Sequence, residues 1–174
     1  MQTHTQLRRL GLFDARVPRY TSYPTAPQFS PRVTSGHLAQ WIEEIEPGSS
    51  VSLYLHVPFC RNLCWFCACR TQGTATAEPV GGYLETVKEE IALVARHLPE
   101  DVRIEHLHWG GGTPTLMTPE MILDMAGAIF GLAPLDEGAQ FSVEIDPNEI
   151  DAPRLEALAR AGMTRASIGV QDFD

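Results

Sequence analysis

Residues 51–70, VSLYLHVPFCRNLCWFCACR, run a strand-length apolar and aromatic segment straight into a loop that carries all four cysteines of the chain. Val51–Val57 has the length and composition of a buried β-strand, and Pro58 stops it because proline cannot donate to a ladder. Cys60, Cys64, Cys67 and Cys69 follow with the spacing C-x3-C-x2-C-x-C. A loop at the carboxyl end of a strand is where α/β proteins place their chemistry. Three thiolates on a four-iron cubane leave one iron without a protein ligand, and such an iron can bind a small molecule directly. Structural zinc is the competing reading, but zinc usually takes two separated ligand pairs that pin two segments together, whereas these thiols lie in one short loop. Cys69 reads three ways: a fourth ligand, a thiol near a substrate, or a loop residue.

Outward from this loop the pattern alternates. Tyr83, Leu84, Val87, Ile91, Ala95 and Leu98 fall at helical spacing and predict a helix over about 80–98. Ile104–His108 is strand-like and runs into Gly110-Gly111-Gly112. Thr118 is placed to cap a helix with Pro119 at its first position, followed by Met121, Ile122, Met125 and Ile129. Phe141–Ile145 predicts a third strand, Asp151 a cap for a helix ending near Gly162, and Ala166–Val170 a fourth strand. Towards the N-terminus, Ser35 caps a short helix whose inward face is Leu38, Trp41, Ile42 and Ile45, ended by Pro47-Gly48. Residues 1–34, with Pro18, Pro24, Pro27 and Pro31, read as an extended arm. The expected class is α/β with a parallel sheet, as a barrel or an open doubly wound sheet. Residues 1–47 would be the arm and short helix, and residues 48–174 the sheet domain. Four strands are too few to close a barrel, so the chain reads as the front part of a longer protein, inactive by itself.

Composition narrows the function. The chain has 174 residues and a net charge of −9. Five arginines against Asp14 put residues 1–35 at +4, leaving −13 on the rest. An acidic body repels nucleic-acid phosphate, while the basic arm is either simply solvated or meets an anionic small molecule. No apolar run is long enough for a membrane helix and no signal-peptide core opens the chain, so the expected compartment is the cytoplasm, with reduced thiols and no membrane partner.

Cys60-x3-Cys64-Trp65-Phe66-Cys67 resembles the cysteine signature of the radical S-adenosylmethionine (SAM) superfamily. Within it the chain is similar to the oxygen-independent coproporphyrinogen III oxidases of haem biosynthesis. RYTSYPTAPQF (19–29), YLHVPFC (54–60), LHWGGGTPT (107–115), VEIDPNEI (143–150) and IGVQDF (168–173) carry that resemblance, which spans about residues 19–174 and only the N-terminal part of the family's enzyme. It implies a partial parallel (β/α) barrel preceded by the extended arm and short helix, with a [4Fe-4S] cluster held by Cys60, Cys64 and Cys67 and SAM on the open iron.

The resemblance further assigns cofactor contacts to Tyr54, Phe66, Gly111, Gly112, Thr113, Glu144 and Gln171. On pattern alone Tyr54 and Phe66 are packing residues, the glycines a turn before Pro114, and Gln171 a polar loop residue. Glu144 shares a face with Asp146 in an otherwise apolar strand, and a carboxylate there suits ribose hydroxyls as well as it suits a strand end. His56 alternates with Tyr54 on one face and, with Cys69, is a catalytic candidate; Arg19 is a candidate for the substrate's carboxylates. His4, His37, His97, His106 and His108 form no ligand constellation, and solvent or packing roles suffice for them. The implied reaction is oxidative decarboxylation of two propionates of coproporphyrinogen III to vinyl groups by a 5′-deoxyadenosyl radical. Its expected partners are that substrate and an electron donor such as a flavodoxin or ferredoxin, in a monomeric full-length protein. The rivals are the related haem chaperone and a zinc-stabilised interaction domain; Cys69 and the RYTSYPT arm favour the oxidase.

Overall fold

The computed structural model describes residues 2–11, 24–65 and 67–170. The chain divides into two compact units, Met1–Ser35 and Gly36–Asp174.

In the first unit α1 (Gln2–Arg9) is helical where an extended arm was expected. The prolines that argued for extension begin only at Pro18, and Arg8 and Arg9 in the last turn complement the helix dipole. A single 3-10 turn, Ala26–Gln28, follows among the prolines.

The second unit opens with α2 (Ser35–Glu43) and continues with β1 (Ser50–Val57), β2 (Phe59–Cys60) and β3 (Gln72–Gly73). Then α3 (Glu78–Val94), β4 (Arg103–Gly111), α4 (Pro119–Leu132), β5 (Leu135–Ile145), α5 (Ala152–Arg160) and β6 (Arg165–Ile168) alternate. The local signals behave as their chemistry dictates. Thr118 accepts the Met121 N–H at 3.3 Å, and Asp151 accepts the Arg154 N–H at 2.9 Å, each satisfying an orphan donor of the first turn. Gly162, at φ +89°, ends α5 in a conformation that a side chain would disfavour.

The four long strands lie in the order β1-β4-β5-β6, every pair parallel. Each strand sits beside its successor with no reversal of order, so the sheet is wound in one direction, as in a barrel, and lacks the switch point of a doubly wound sheet. Along the helix-facing side Leu55, Val57, Leu107, Trp109, Phe141, Val143 and Ile145 are buried. They pack on Val80, Leu84 and Val87 of α3, Ile122, Met125 and Ile129 of α4, and Leu158 of α5. Trp109 meets Phe141 edge-on, with centroids 4.9 Å apart.

Two features depart from the pattern reading. Ile104 and Leu107, three residues apart, both face the helices because the β1–β4 and β4–β5 registers shift between Ile104 and His106. The skipped residue, Glu105, behaves as a β-bulge and turns His106 and His108 onto the other face. The apolar stripe expected to face inward is only partly covered: Ile42 and Ile45 are half-buried, whereas Leu38 and Trp41 are exposed, and Leu38 borders a cavity of about 550 Å³ along the edge of β1.

Candidate functional site

The face of the sheet away from the helices carries side chains two residues apart on each strand. In register these are Ser52, His106 and Gln140, then Tyr54, His108, Ser142 and Arg165. Nearest the carboxyl ends come His56, Gly110, Glu144 and Ser167. This polar face leads up to the cysteine loop.

The loop is tied down at its base. Gln72 N–H donates to the Pro58 carbonyl at 2.8 Å and Thr74 N–H to the Cys60 carbonyl at 2.9 Å, forming the small β2–β3 pair where a plain loop was expected. Thr113 N–H donates to the Phe59 carbonyl at 2.7 Å and Gly112 N–H to the Val57 carbonyl at 2.8 Å. The first cysteine is therefore carried on backbone hydrogen-bonded to two strands. All four thiols are free; Cys60 is half-buried, and Cys64, Cys67 and Cys69 are exposed. Burial, with Cys67 and Cys64 nearby, pushes the Cys60 thiol up, against hydrogen bonds with Thr113 and Thr71. Burial and a hydrogen bond with Cys67 do the same to Cys69. The thiols thus sense one another, yet among the described residues no three His, Cys, Asp or Glu side chains converge on one metal position. A mononuclear zinc site needs such convergence, at Zn–S distances of about 2.3 Å. A cubane does not, because each thiolate binds a different iron.

His56 holds the far end of the loop. Its Nε2 lies 2.9 Å from the Arg70 carbonyl, which can only accept, so Nε2 carries the proton. Its Nδ1 is then free to accept the Tyr54 hydroxyl at 2.9 Å, and Tyr83 O–H donates to its carbonyl at 2.6 Å. Both ring nitrogens are engaged within the protein, a tethering arrangement more than a proton-transfer one. Burial first, then Glu144 and Cys69, raises the Tyr54 hydroxyl above the usual phenolic range.

The glycines serve the protein's own groups. Gly111 has φ +109°, and a Cβ there would lie 2.5 Å from the His56 ring. At Gly112 a Cβ would lie 2.4 Å from the Phe59 carbonyl oxygen. At Gly110 it would lie 2.8 Å from His108 Nε2 and 2.9 Å from Glu144 Cδ. Any side chain would push the cysteine loop and the acidic residue off the strand. Thr113 is buried.

Glu144 lies on the polar face. Its Oε2 accepts Gly111 N–H at 3.0 Å, and its Oε1 is 3.4 Å from His108 Nε2. Asp146 lies past the end of β5 and accepts the Asn148 N–H at 2.9 Å, so it builds its own turn. The structure therefore brings together Cys60, Tyr54, His56, Gly111, Gly112, Thr113 and Glu144. Phe66, Gln171 and Arg19 lie outside the described residues. His108, assigned only a solvent or packing role from the sequence, stands in the middle of the group, and the bulge at Glu105 is the reason.

The protein-family model described as the Radical SAM superfamily matches residues 54–174. The chain is 61% identical over its whole length to the oxygen-independent coproporphyrinogen III oxidase of Paracoccus denitrificans, and 60% identical to that of Cereibacter sphaeroides. It spans 39% of the length of each. Its structure is similar to that of coproporphyrinogen III oxidase from Escherichia coli, reported as a radical SAM enzyme, with a TM-score of 0.82 at 34% identity. That match covers 95% of this chain and 37% of the Escherichia coli chain. No helix among the described residues is long and apolar enough to cross a membrane.

Proposed function

The chain belongs to the radical SAM superfamily, and from that membership we propose that it is the cofactor-binding part of an oxygen-independent coproporphyrinogen III oxidase. The superfamily implies a [4Fe-4S] cluster and SAM. The donor set fits the cluster: four free thiols lie on one tethered loop, and no three described His, Cys, Asp or Glu side chains group around a single ion. Cys60, Cys64 and Cys67 would hold the cluster, which would then have an iron open to SAM. Tyr54, the backbone of Phe66, Gly111, Gly112, Thr113, Glu144 and Gln171 surround the cofactor, with Glu144 accepting from the ribose hydroxyls. Cys69, two residues beyond the last ligand, faces the reacting volume, and Arg19 meets a substrate carboxylate.

When bound, the cluster and SAM would supply a 5′-deoxyadenosyl radical able to take a hydrogen from the β-carbon of a substrate propionate. Loss of carbon dioxide, with one electron passed to a one-electron acceptor, would then leave a vinyl group, and two such events would convert coproporphyrinogen III to protoporphyrinogen IX. The protein's own contribution is to hold and orient, which suits a site whose His56 is occupied with tethering. The first electron comes from a cytoplasmic carrier such as a flavodoxin or ferredoxin.

The observation that carries the reading is the 61% identity over the whole chain to a named oxidase, with the motif residues gathered on one face. The test has two arms, both anaerobic. The reconstituted chain with a strong reductant should cleave SAM to 5′-deoxyadenosine and methionine. The same sequence extended to its relatives' length should release carbon dioxide and protoporphyrinogen from coproporphyrinogen III. Haem retention without product from the extended protein contradicts the oxidase and supports the haem-chaperone reading.

A further inference from the structure

His108 touches more of the polar face than any residue assigned to it. Its ring stacks on Tyr54, with centroids 5.5 Å apart and planes 14° from parallel. Its Nδ1 is hydrogen-bonded to the Ser142 hydroxyl, and its Nε2 lies 3.4 Å from Glu144 Oε1. Tyr54, His108 and Ser142 are register partners on β1, β4 and β5, so backbone pairing sets this row. Glu144 is one level higher, and Gly110 lies beneath the contact, with no room for a Cβ between imidazole and carboxylate.

The hydrogen-bond chemistry fixes the direction of the chain of contacts. A carboxylate only accepts, so the neutral His108 ring that suits the 3.4 Å contact with Glu144 is the one with its proton on Nε2. In the neutral ring Nδ1 is then left to accept from Ser142, which holds that tautomer as second-shell partners hold metal-bound histidines. Gly111 N–H takes the other carboxylate oxygen at 3.0 Å. Glu144 is thereby contacted once on each oxygen, by Gly111 N–H at 3.0 Å and by His108 Nε2 at 3.4 Å.

We propose that His108 is a positioning residue for cofactor binding: with Ser142 setting its tautomer, it holds the Glu144 carboxylate aimed at the two ribose hydroxyls of SAM. The inference rests on the reading of Glu144 as the ribose acceptor. A carboxylate already held in place loses less rotamer freedom on binding than a free one, so the grip appears as affinity for the ribose.

The test measures Kd for SAM and for its 2′-deoxyribose analogue on the anaerobically reconstituted chain, with iron content in parallel. Glu144→Gln should weaken SAM about tenfold and leave the analogue much less affected. His108→Ala should weaken SAM about fivefold to tenfold with the same selectivity and unchanged iron, and Ser142→Ala should follow it by a smaller factor. In the double variant the two losses should not add, because the residues act in series. A ligand-free readout is the side-chain ¹⁵N spectrum of His108, expected to show the Nε2–H tautomer in the native chain and a mixture in Ser142→Ala. If His108→Ala impairs folding, His108→Gln carries the same comparison at similar size. Equal loss of SAM and analogue in the His108 variants, or no loss where Glu144→Gln has one, overturns the inference alone. A silent Glu144→Gln overturns the ribose reading and the inference with it.

Discussion

The two faces of the four-stranded sheet are written with alternate residues of the same strands, yet they have opposite characters. On the helix side Leu55, Val57, Leu107, Trp109, Phe141 and Val143 are each no more than 5% exposed. On the other side Tyr54, His56, His108, Ser142 and Glu144 are all accessible and linked to one another by hydrogen bonds, a 3.4 Å imidazole–carboxylate contact and ring stacking. Burial of apolar area holds the fold, at roughly 25 cal/mol per Å². The polar face buries little apolar area, and it is the face proposed to bind the cofactor. One strand can therefore be altered for one property with little effect on the other.

The largest effect belongs to the buried face. Trp109→Ala should cost about 3–5 kcal/mol in denaturant unfolding, the usual result of emptying an aromatic site. Trp109→Phe should cost far less, since the indole N–H has no hydrogen-bond partner among the described residues. A Trp109→Ala variant as stable as the native chain would break the comparison.

Gly111→Ala crosses the boundary between the faces. A side chain at φ +109° strains the backbone by about 1–3 kcal/mol and drives the His56 ring from its place. Because His56 tethers the Arg70 carbonyl, the variant should also retain less iron after reconstitution. Lost stability with full iron retention would show that His56 does not hold the loop.

Tyr54→Phe is confined to the polar face. It removes one hydroxyl donated to His56 and should cost about 1 kcal/mol or less. Its larger signature should be weaker SAM binding, measured as Kd at constant iron content.

The smallest effect is expected at the opposite end of the sheet. Asp136 accepts the Ser50 hydroxyl at 2.7 Å and the Glu137 N–H at 2.9 Å and lies 3.3 Å from Arg103 Nε. The Ser50 bond first, then the Glu137 N–H, holds its carboxyl below the usual range. A depressed carboxylate contributes stability above its unfolded pKa and loses it as pH falls through the folded value. Acid titration of unfolding should thus show a small loss below about pH 4. Asp136→Asn should flatten that part of the profile, and an unchanged profile would refute the assignment.

Much of this division was legible in the residues themselves. Thr118, Asp151 and Gly162 marked helix ends because capping chemistry is local, and the βαβ order followed from hydrophobic period. The glycines were read as a turn and, by resemblance, as cofactor contacts; the structure adds that their missing side chains make room for His56, Phe59 and Glu144. His106 and His108 received only solvent or packing roles, because strict alternation from Ile104 would turn them to the helix side and a bulge is set by pairing with neighbouring strands. The β2–β3 pair was missed because two-residue strands have no period to read. Leu38 and Trp41 were assigned inward because periodicity shows that a helix has an apolar side, not what covers it.

The central claim, that Cys60, Cys64 and Cys67 hold a cluster with one open iron, is tested most directly by iron and acid-labile sulfide per chain after anaerobic reconstitution, for the native chain and each cysteine variant. The prediction is about four irons and four sulfides, lost on changing Cys60, Cys64 or Cys67 to Ala and retained in Cys69→Ser. Stoichiometric zinc without sulfide, or a cluster lost equally in Cys69→Ser, would contradict it.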